Sequence, residues 1–454
     1  MGTSRSAEVV ATEVASPRAA WVGLGLSLVV IAAALAFPHL YPEIPVFVQN
    51  VAPLHTTWDP RVGVGTVPAV LIALIGTRYA IDLAEVLPWR RLLAVVFGTG
   101  LAWMLALAFV DGRDGIGGVL VTKYEYLPTA RSITDLPHAL ATYTERIPYD
   151  APLGNWPEHL AGHPPGALTF FVVLVRLGLG GGFAAGLVVT LFAATTAVAV
   201  LVTVRTLGAE PLARRAAPFL VLGPAAIWAC VSGDGMFAAV AAWGLAALAV
   251  AATRESTRAV LGWSVVSGLL LGCTVMLSYG LPLLGLLALA VLVVARSWKP
   301  LVPTALAALA VVLVFAAYGF RWWEAIGVLR ERYFDGVASQ RPTRYWIWAD
   351  FACLLLGAGP LLGAAVAHAL TRARAWVVDP AVRVVLWLTG AATAIVVVAD
   401  LSLMSKAEVE RIWLPFMPWL LISCALLPER WRRWGLASQV AVALAIQHLT
   451  HSDW

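Results

Sequence analysis

The sequence predicts an all-α fold: a polytopic transmembrane helical bundle of about thirteen spans, with a re-entrant or juxtamembrane helix after a long external loop. Three observations carry this. Of 454 residues, 60% are hydrophobic and only 13% charged, whereas soluble domains run about 45–50% apolar and about 25% charged. Mean hydropathy is +0.83. The apolar residues gather in runs approaching the ~20 needed to cross a bilayer. A soluble globular protein, a disordered chain, a collagen-like chain and a disulfide scaffold are excluded.

Residues 1–18 are polar and lack the apolar core of a cleavable signal peptide, so they read as a mobile cytoplasmic tail, with 19–454 forming a single transmembrane domain. Spans fall near 19–37, 62–80, 91–110, 183–204, 216–231, 235–252, 259–277, 280–296, 301–319, 348–370, 383–400, 411–427 and 435–449. Arginines in the short gaps set orientation: Arg90 and Arg91, Arg205 with Arg214 and Arg215, Arg254 with Arg258, Arg296 with Lys299, Arg372 with Arg374, and Arg430 with Arg432 and Arg433 are read as cytoplasmic, which places the N-terminus inside. A multi-pass membrane location is expected. The net charge of +5 is spread over these gaps and not massed on one soluble face, which argues against nucleic acid as a partner. Cys230, Cys273, Cys353 and Cys424 show no metal-ligand spacing and read as small packing residues.

Between the external end of span 91–110 and the internal Arg205 gap, an odd number of crossings is required. Two apolar stretches lie there. The first, about 166–179, follows Pro164 and Pro165, carries Arg176 and ends among glycines. Stretches of about 10–14 apolar residues are more often re-entrant than spanning, so it is predicted to be half-inserted. Two long external loops remain, about 111–165 and 320–347. Loops above about 12–15 residues are usually functional or disordered, and the aromatic content of the first argues against disorder.

Asp111-Gly-Arg113-Asp114-Gly stands where span 91–110 meets water, and either acid is placed to act as a general base toward a hydroxyl; a solvated turn is the simpler alternative. Tyr124 and Glu125 follow, then Trp156, Glu158, His159 and His163, which lead into the half-inserted stretch. His159 and His163 suit hydrogen bonding to hydroxyl or phosphate better than a metal, because the neighbouring prolines disfavour the helix that would pair them. Asp234 lies between two apolar runs, where burying an acid is costly and points to function, with a simple turn acid as the alternative. Arg321, Arg330, Arg332, Arg341 and Arg344 put five arginines on the side where topology does not ask for them; arginine forks suit phosphate oxygens, and attraction to anionic lipid headgroups is the alternative reading of each. Glu410 and Arg411 open span 411–427 from outside, able to pair with each other or to bind a polar headgroup.

An acid just after an early span, a long external loop ending in His163-Pro164-Pro165-Gly166, the Ser232-Gly-Asp234 region and Glu408-Val-Glu410-Arg411-Ile-Trp413 together resemble the GT-C class of polyprenyl-phosphate-dependent membrane glycosyltransferases, closest to those that build the envelope of high-GC Gram-positive bacteria. The resemblance spans about 91–427. It implies a GT-C-like bundle and an inverting enzyme facing outside the cytoplasm, which moves a sugar from a polyprenyl-phosphate donor to a hydroxyl of a lipid, glycan or protein. On that pattern Asp114 or Asp111 is the base, the 320–347 arginines or Arg411 meet the lipid phosphate, and Glu158 and His163 line the pocket. No cofactor is assigned, and a divalent cation is compatible. The sequence departs from the family pattern in two ways: Asp-Gly-Arg-Asp-Gly stands where an Asp-Glu pair is common, and two extra spans precede the motif. A transporter or flippase of a lipid-linked glycan, or a non-catalytic envelope scaffold, would use the same residues to bind without turnover.

Overall fold

In the computed structural model, residues 18–373 and 377–452 are described. Residues 1–17 of the expected 1–18 tail and Arg374 lie outside them, and Arg18 opens the first helix. Among the described residues the chain is helical apart from one short antiparallel ladder, which pairs Thr57 with His451 and Trp58 with Thr450.

Among the described residues, seven helices are long and apolar enough to cross a membrane, or up to nine if each of two bent pairs is one span. The count of thirteen expected spans is not confirmed, and each stretch that falls short has an identifiable physical cause. The 216–231 stretch is broken at Leu222-Gly223-Pro224 into Glu210–Val221 and Ala225–Ala229, where proline lacks the donor that would continue the ladder. The 280–296 stretch is Leu281–Ala295, too short to cross alone, and 411–427 is split into Val409–Ile412 and Met417–Leu426. Glu429–Leu449 is long, but its first turn holds Glu429, Arg430 and Arg432. Leu301–Ala317 bends by 73° into Trp322–Asp335, and Thr343–Gly357 bends by 100° into Leu361–Thr371. The 166–179 stretch forms Gly166–Arg176, 11 residues or about 16 Å, half the depth of a hydrocarbon core.

Side-chain pairing gathers several of the arginine gaps at one end of the bundle. Arg214 donates to the carbonyls of Ala84 and Leu87, Arg205 and Arg214 lie over Trp89, and Arg432 and Arg433 pair with Glu85 and Asp82. The segment 111–165, expected to be an external loop, folds at the opposite end as a small packed layer. Buried Trp156 donates Nε1–H to Tyr143 O, its ring is covered by Arg146 at 3.6 Å, and the Tyr143 hydroxyl donates to Leu160 O.

The centre is the alanine-rich Gly233–Ala252 helix, buried over most of its length between Gly182–Thr206 and Thr257–Leu277. Lipid offers no hydrophobic drive for helix association, so small residues that let backbones approach carry the packing. The same device joins the first helix, Arg18–Leu40, to Leu361–Thr371. A Cβ on Gly23 would collide with Gly363 O, and one on Gly363 with Ser27 Oγ. Gly363→Leu is expected to separate these helices and cost about 3 kcal/mol, read as a lowered Tm of the detergent-solubilised protein; an unchanged Tm would mean that the contact is not tight.

Candidate active site

The Trp89–Ala108 helix ends in a turn over Phe109–Asp111, and a second turn, Asp114–Gly117, follows at once. The chain can therefore present two carboxylates within four residues. They are treated differently. Asp111 is clamped: Arg61 Nε and Nη2 donate to its two oxygens, and Gln447 Nε2 donates to Oδ2 at 3.0 Å. Arg61 also donates to Thr450 O at 2.6 Å. The clamp requires the 61–65 segment to lie directly on the helix end, and glycine permits it, since a Cβ on Gly63 or Gly65 would strike the backbone of 106–110. Asp114 is exposed, and its carboxylate has no hydrogen-bond or ion-pair partner among the described residues.

Both acids line a cavity of about 610 Å³ together with Thr56, Arg61, Lys123, Tyr124, Trp228, Gln447 and His451. The Thr57–Trp58 and Thr450–His451 ladder holds one wall. Two buried groups on the lining, Thr56 Oγ1 and Trp228 Nε1, have no hydrogen-bond partner among the described residues. Leaving a buried donor unmet costs about 1–3 kcal/mol, so this wall is suited to an oxygen-rich ligand. Lys123 supplies a cation, resting 4.9 Å above the Tyr124 ring.

Behind the cavity runs a buried chain of charges. Arg411 is its hub, with Nη1 at 3.3 Å from Asp234 Oδ2 and Nη2 at 3.5 Å from Glu408 Oε2. Arg411 Nη2 also lies 3.3 Å from His159 Nε2. A guanidinium only donates, so His159 Nε2 accepts there and its Nδ1–H donates to Glu125 at 2.9 Å. Arg341 completes the far end, donating to Glu408 at 2.8 Å and to Lys406 O at 2.6 Å. The His55 N–H donates to Glu410 at 3.2 Å, and the next residue is Thr56 of the cavity wall. His163 Nδ1–H donates to His159 O at 2.8 Å, and its ring meets Tyr126 edge-on.

Backbone strain holds this chain in place. Val231, Ala407 and Glu408 all have positive φ, at 54°, 68° and 62°, a region that is a true outlier for a β-branched residue. Each strained stretch is tied down: Val231 N–H donates to Thr190, Ala407 N–H to Asp350, and Lys406 N–H to the Tyr333 hydroxyl. Val231 aims Asp234, and the 407–408 pair aims Glu408, at Arg411 from two sides.

Glu408 and Glu410 titrate far apart. Burial alone would raise Glu408, but Arg341, Arg411 and His55 outweigh it and pull it down to about 2. Glu410 is pushed up to about 7, by burial first and by Glu408 in addition, against the His55 N–H. Burial also opposes ionisation of Glu125, yet His159 and Arg411 hold it below its ordinary value. Burial lowers His163. Because Glu410 binds its proton more tightly folded than unfolded, its contribution favours the folded state at low pH and is lost as pH rises from about 4.5 through 7. Glu410→Gln is accordingly expected to flatten the fall in Tm between pH 5 and pH 8; a parallel fall in variant and wild type would contradict it.

The structure thus brings Asp111, Asp114 and Tyr124 to the cavity, and places Glu125, His159, His163, Asp234, Glu410 and Arg411 behind it. Trp156 is enclosed in the loop layer. Arg332 is buried, donating to the carbonyls of Ile147 and Trp156, and Arg341 is spent on Glu408 and backbone oxygens. Arg321 pairs with Glu324 on the surface, and Arg330, Arg344 and Glu158 are exposed; none of these lines the cavity. Arg61, Thr56, Trp228, Gln447, His451, His55 and Glu408 were missed. Only the position of Glu408 within the quoted 408–413 segment pointed to it. Among the described residues, no group of three or more His, Cys, Asp or Glu side chains is placed to hold a metal ion.

Fold and site together define a multi-pass helical membrane protein with a polar cavity at one end of the bundle, backed by a buried ionic network. No protein-family model and no curated protein matches the chain. Among solved structures it is similar to ArnT from Cupriavidus metallidurans in the apo state, at 20% identity and a TM-score of 0.42 over 66% of this chain and 56% of that one. It is also similar to an Archaeoglobus fulgidus oligosaccharyltransferase solved with zinc and sulfate, at 12% identity and a TM-score of 0.39 over 85% of this chain and 53% of that one. The chain thus spans little more than half the length of each.

Proposed function

We propose that the protein is a membrane glycosyltransferase that moves a sugar from a polyprenyl-phosphate donor to a hydroxyl of a lipid, glycan or protein acceptor at the external face of a bacterial plasma membrane. One observation carries the reading: among the described residues Asp114 is an unpaired carboxylate on a cavity that also offers a cation, Lys123, and two unmet buried hydrogen-bonding groups, Thr56 and Trp228. Asp114 takes the proton of the acceptor hydroxyl, whose oxygen forms a bond to the anomeric carbon as the bond from that carbon to the phosphate oxygen breaks. The electron pair leaves on the lipid phosphate, where Lys123 offsets the growing negative charge. A single displacement inverts the anomeric centre. Asp111 does not share the proton transfer; its clamp with Arg61 and Gln447 fixes the turn that carries Asp114.

Proteoliposomes holding the purified protein, given a synthetic polyprenyl-phosphate sugar and a panel of hydroxyl acceptors, test this. Release of polyprenyl phosphate matched by glycosylated acceptor is expected. Movement of intact donor between leaflets with no product would replace the proposal with transport.

A further inference from the structure

A second cavity, of about 590 Å³, lies at the other end of the bundle. Arg215, Arg372, Arg432 and His368 line it, beside Asp379 and Glu429. The helices Pro380–Leu401 and Glu429–Leu449 both start at its wall. Each rises about 30 Å, the first toward the loop before Lys406 and the second to Gln447 and Thr450 of the candidate active site. The two cavities are therefore separate.

The charges around this cavity do not cancel locally. Asp379 spends Oδ1 on the N–H groups of Ala381 and Val382, capping its helix. Glu429 is held by Arg433 through Nε at 3.2 Å and Nη2 at 3.1 Å. Arg432 and Arg215 must share one carboxylate, Glu85, at 3.2 and 3.9 Å. Arg372 has no side-chain hydrogen bond or ion pair among the described residues. Two helix N-termini add further partial positive charge.

Two nitrogens of the lining are buried and unmet. His368 is 1% exposed and Arg432 5%, yet His368 Nδ1 and Arg432 Nε have no hydrogen-bond partner among the described residues. We infer that this cavity is a binding site for a phosphate monoester. Its oxygens accept from the Arg372, Arg215 and Arg432 guanidiniums, for which phosphate geometry is well matched. His368 Nδ1 offers a further hydrogen bond to the same group. A lipid monophosphate headgroup and a free phosphate share this chemistry.

The test uses the full-length protein and follows thermal unfolding. One arm titrates inorganic phosphate in neutral detergent; the other compares nanodiscs of phosphatidylcholine with nanodiscs containing phosphatidic acid. A rise in Tm in the first arm assigns the site to free phosphate, and a rise in the second arm alone assigns it to a lipid headgroup. In either case the apparent affinity is expected to fall at least about tenfold, or 1.4 kcal/mol, in Arg372→Gln, with an unchanged Tm before ligand is added. Arg215→Gln serves as the second variant should Arg372→Gln fold poorly. No rise in either arm, or a rise that persists undiminished in both variants, overturns the inference.

Discussion

Asp114→Asn is expected to lower sugar transfer by about 10³-fold, within the 10²–10⁴ that a positioned general base supplies, while leaving Tm within a degree or so of wild type. The carboxylate is exposed and has no partner among the described residues to lose, and the amide matches its shape but accepts no proton at neutral pH. Single-turnover transfer in proteoliposomes reads the first effect and thermal unfolding the second. Asp111→Asn provides the contrast. It weakens the Arg61 and Gln447 clamp, so its damage should appear in stability as well as in rate. If Asp114→Asn transfers sugar normally, the base has been wrongly assigned; if Asp111→Asn alone abolishes transfer without loss of Tm, the roles are reversed.

Arg411→Gln is expected to be the most destabilising substitution at the site, by about 3–5 kcal/mol. Removing one partner of a buried ion pair leaves the other charges in low dielectric with nothing to offset them, and here Asp234, Glu408 and His159 all lose the same group. The sign follows from the geometry. Glu408 would keep Arg341, whereas among the described residues Asp234 has no second ion-pair partner. Asp234→Asn in the Arg411→Gln background should therefore recover part of the loss, which a double-mutant cycle on Tm measures. Strict additivity of the two substitutions would show that Arg411 does not hold Asp234.

Much of this was legible in the sequence, and the reasons for the remainder are specific. The boundary acids, the aromatic loop and the half-length Gly166–Arg176 helix follow from hydropathy and proline placement, because water, hydrocarbon and a missing N–H act locally. The span count does not, since runs such as 216–231 and 280–296 are apolar for burial against protein, and composition is blind to whether the neighbour is lipid or helix. Arg332 and Arg341 show the same limit for charge. A guanidinium that braces carbonyls looks identical in sequence to one awaiting a phosphate. The hub Arg411 was singled out together with Asp234, but their pairing across the bundle was not foreseen. The cavity wall was missed because Arg61 and Thr450, which bond directly, are 389 residues apart, and no local pattern pairs them.

That ladder has a consequence for biosynthesis. A ribosome delivers Arg61 and Asp111 to the membrane early, and Gln447 with Thr450 long after. Until the late helix arrives, the early pair lacks two of its four fixings and stands half-hydrated at the bilayer edge. Nascent chains halted before that point should therefore be preferred prey for membrane quality-control proteases, and the cavity should mature in one late step.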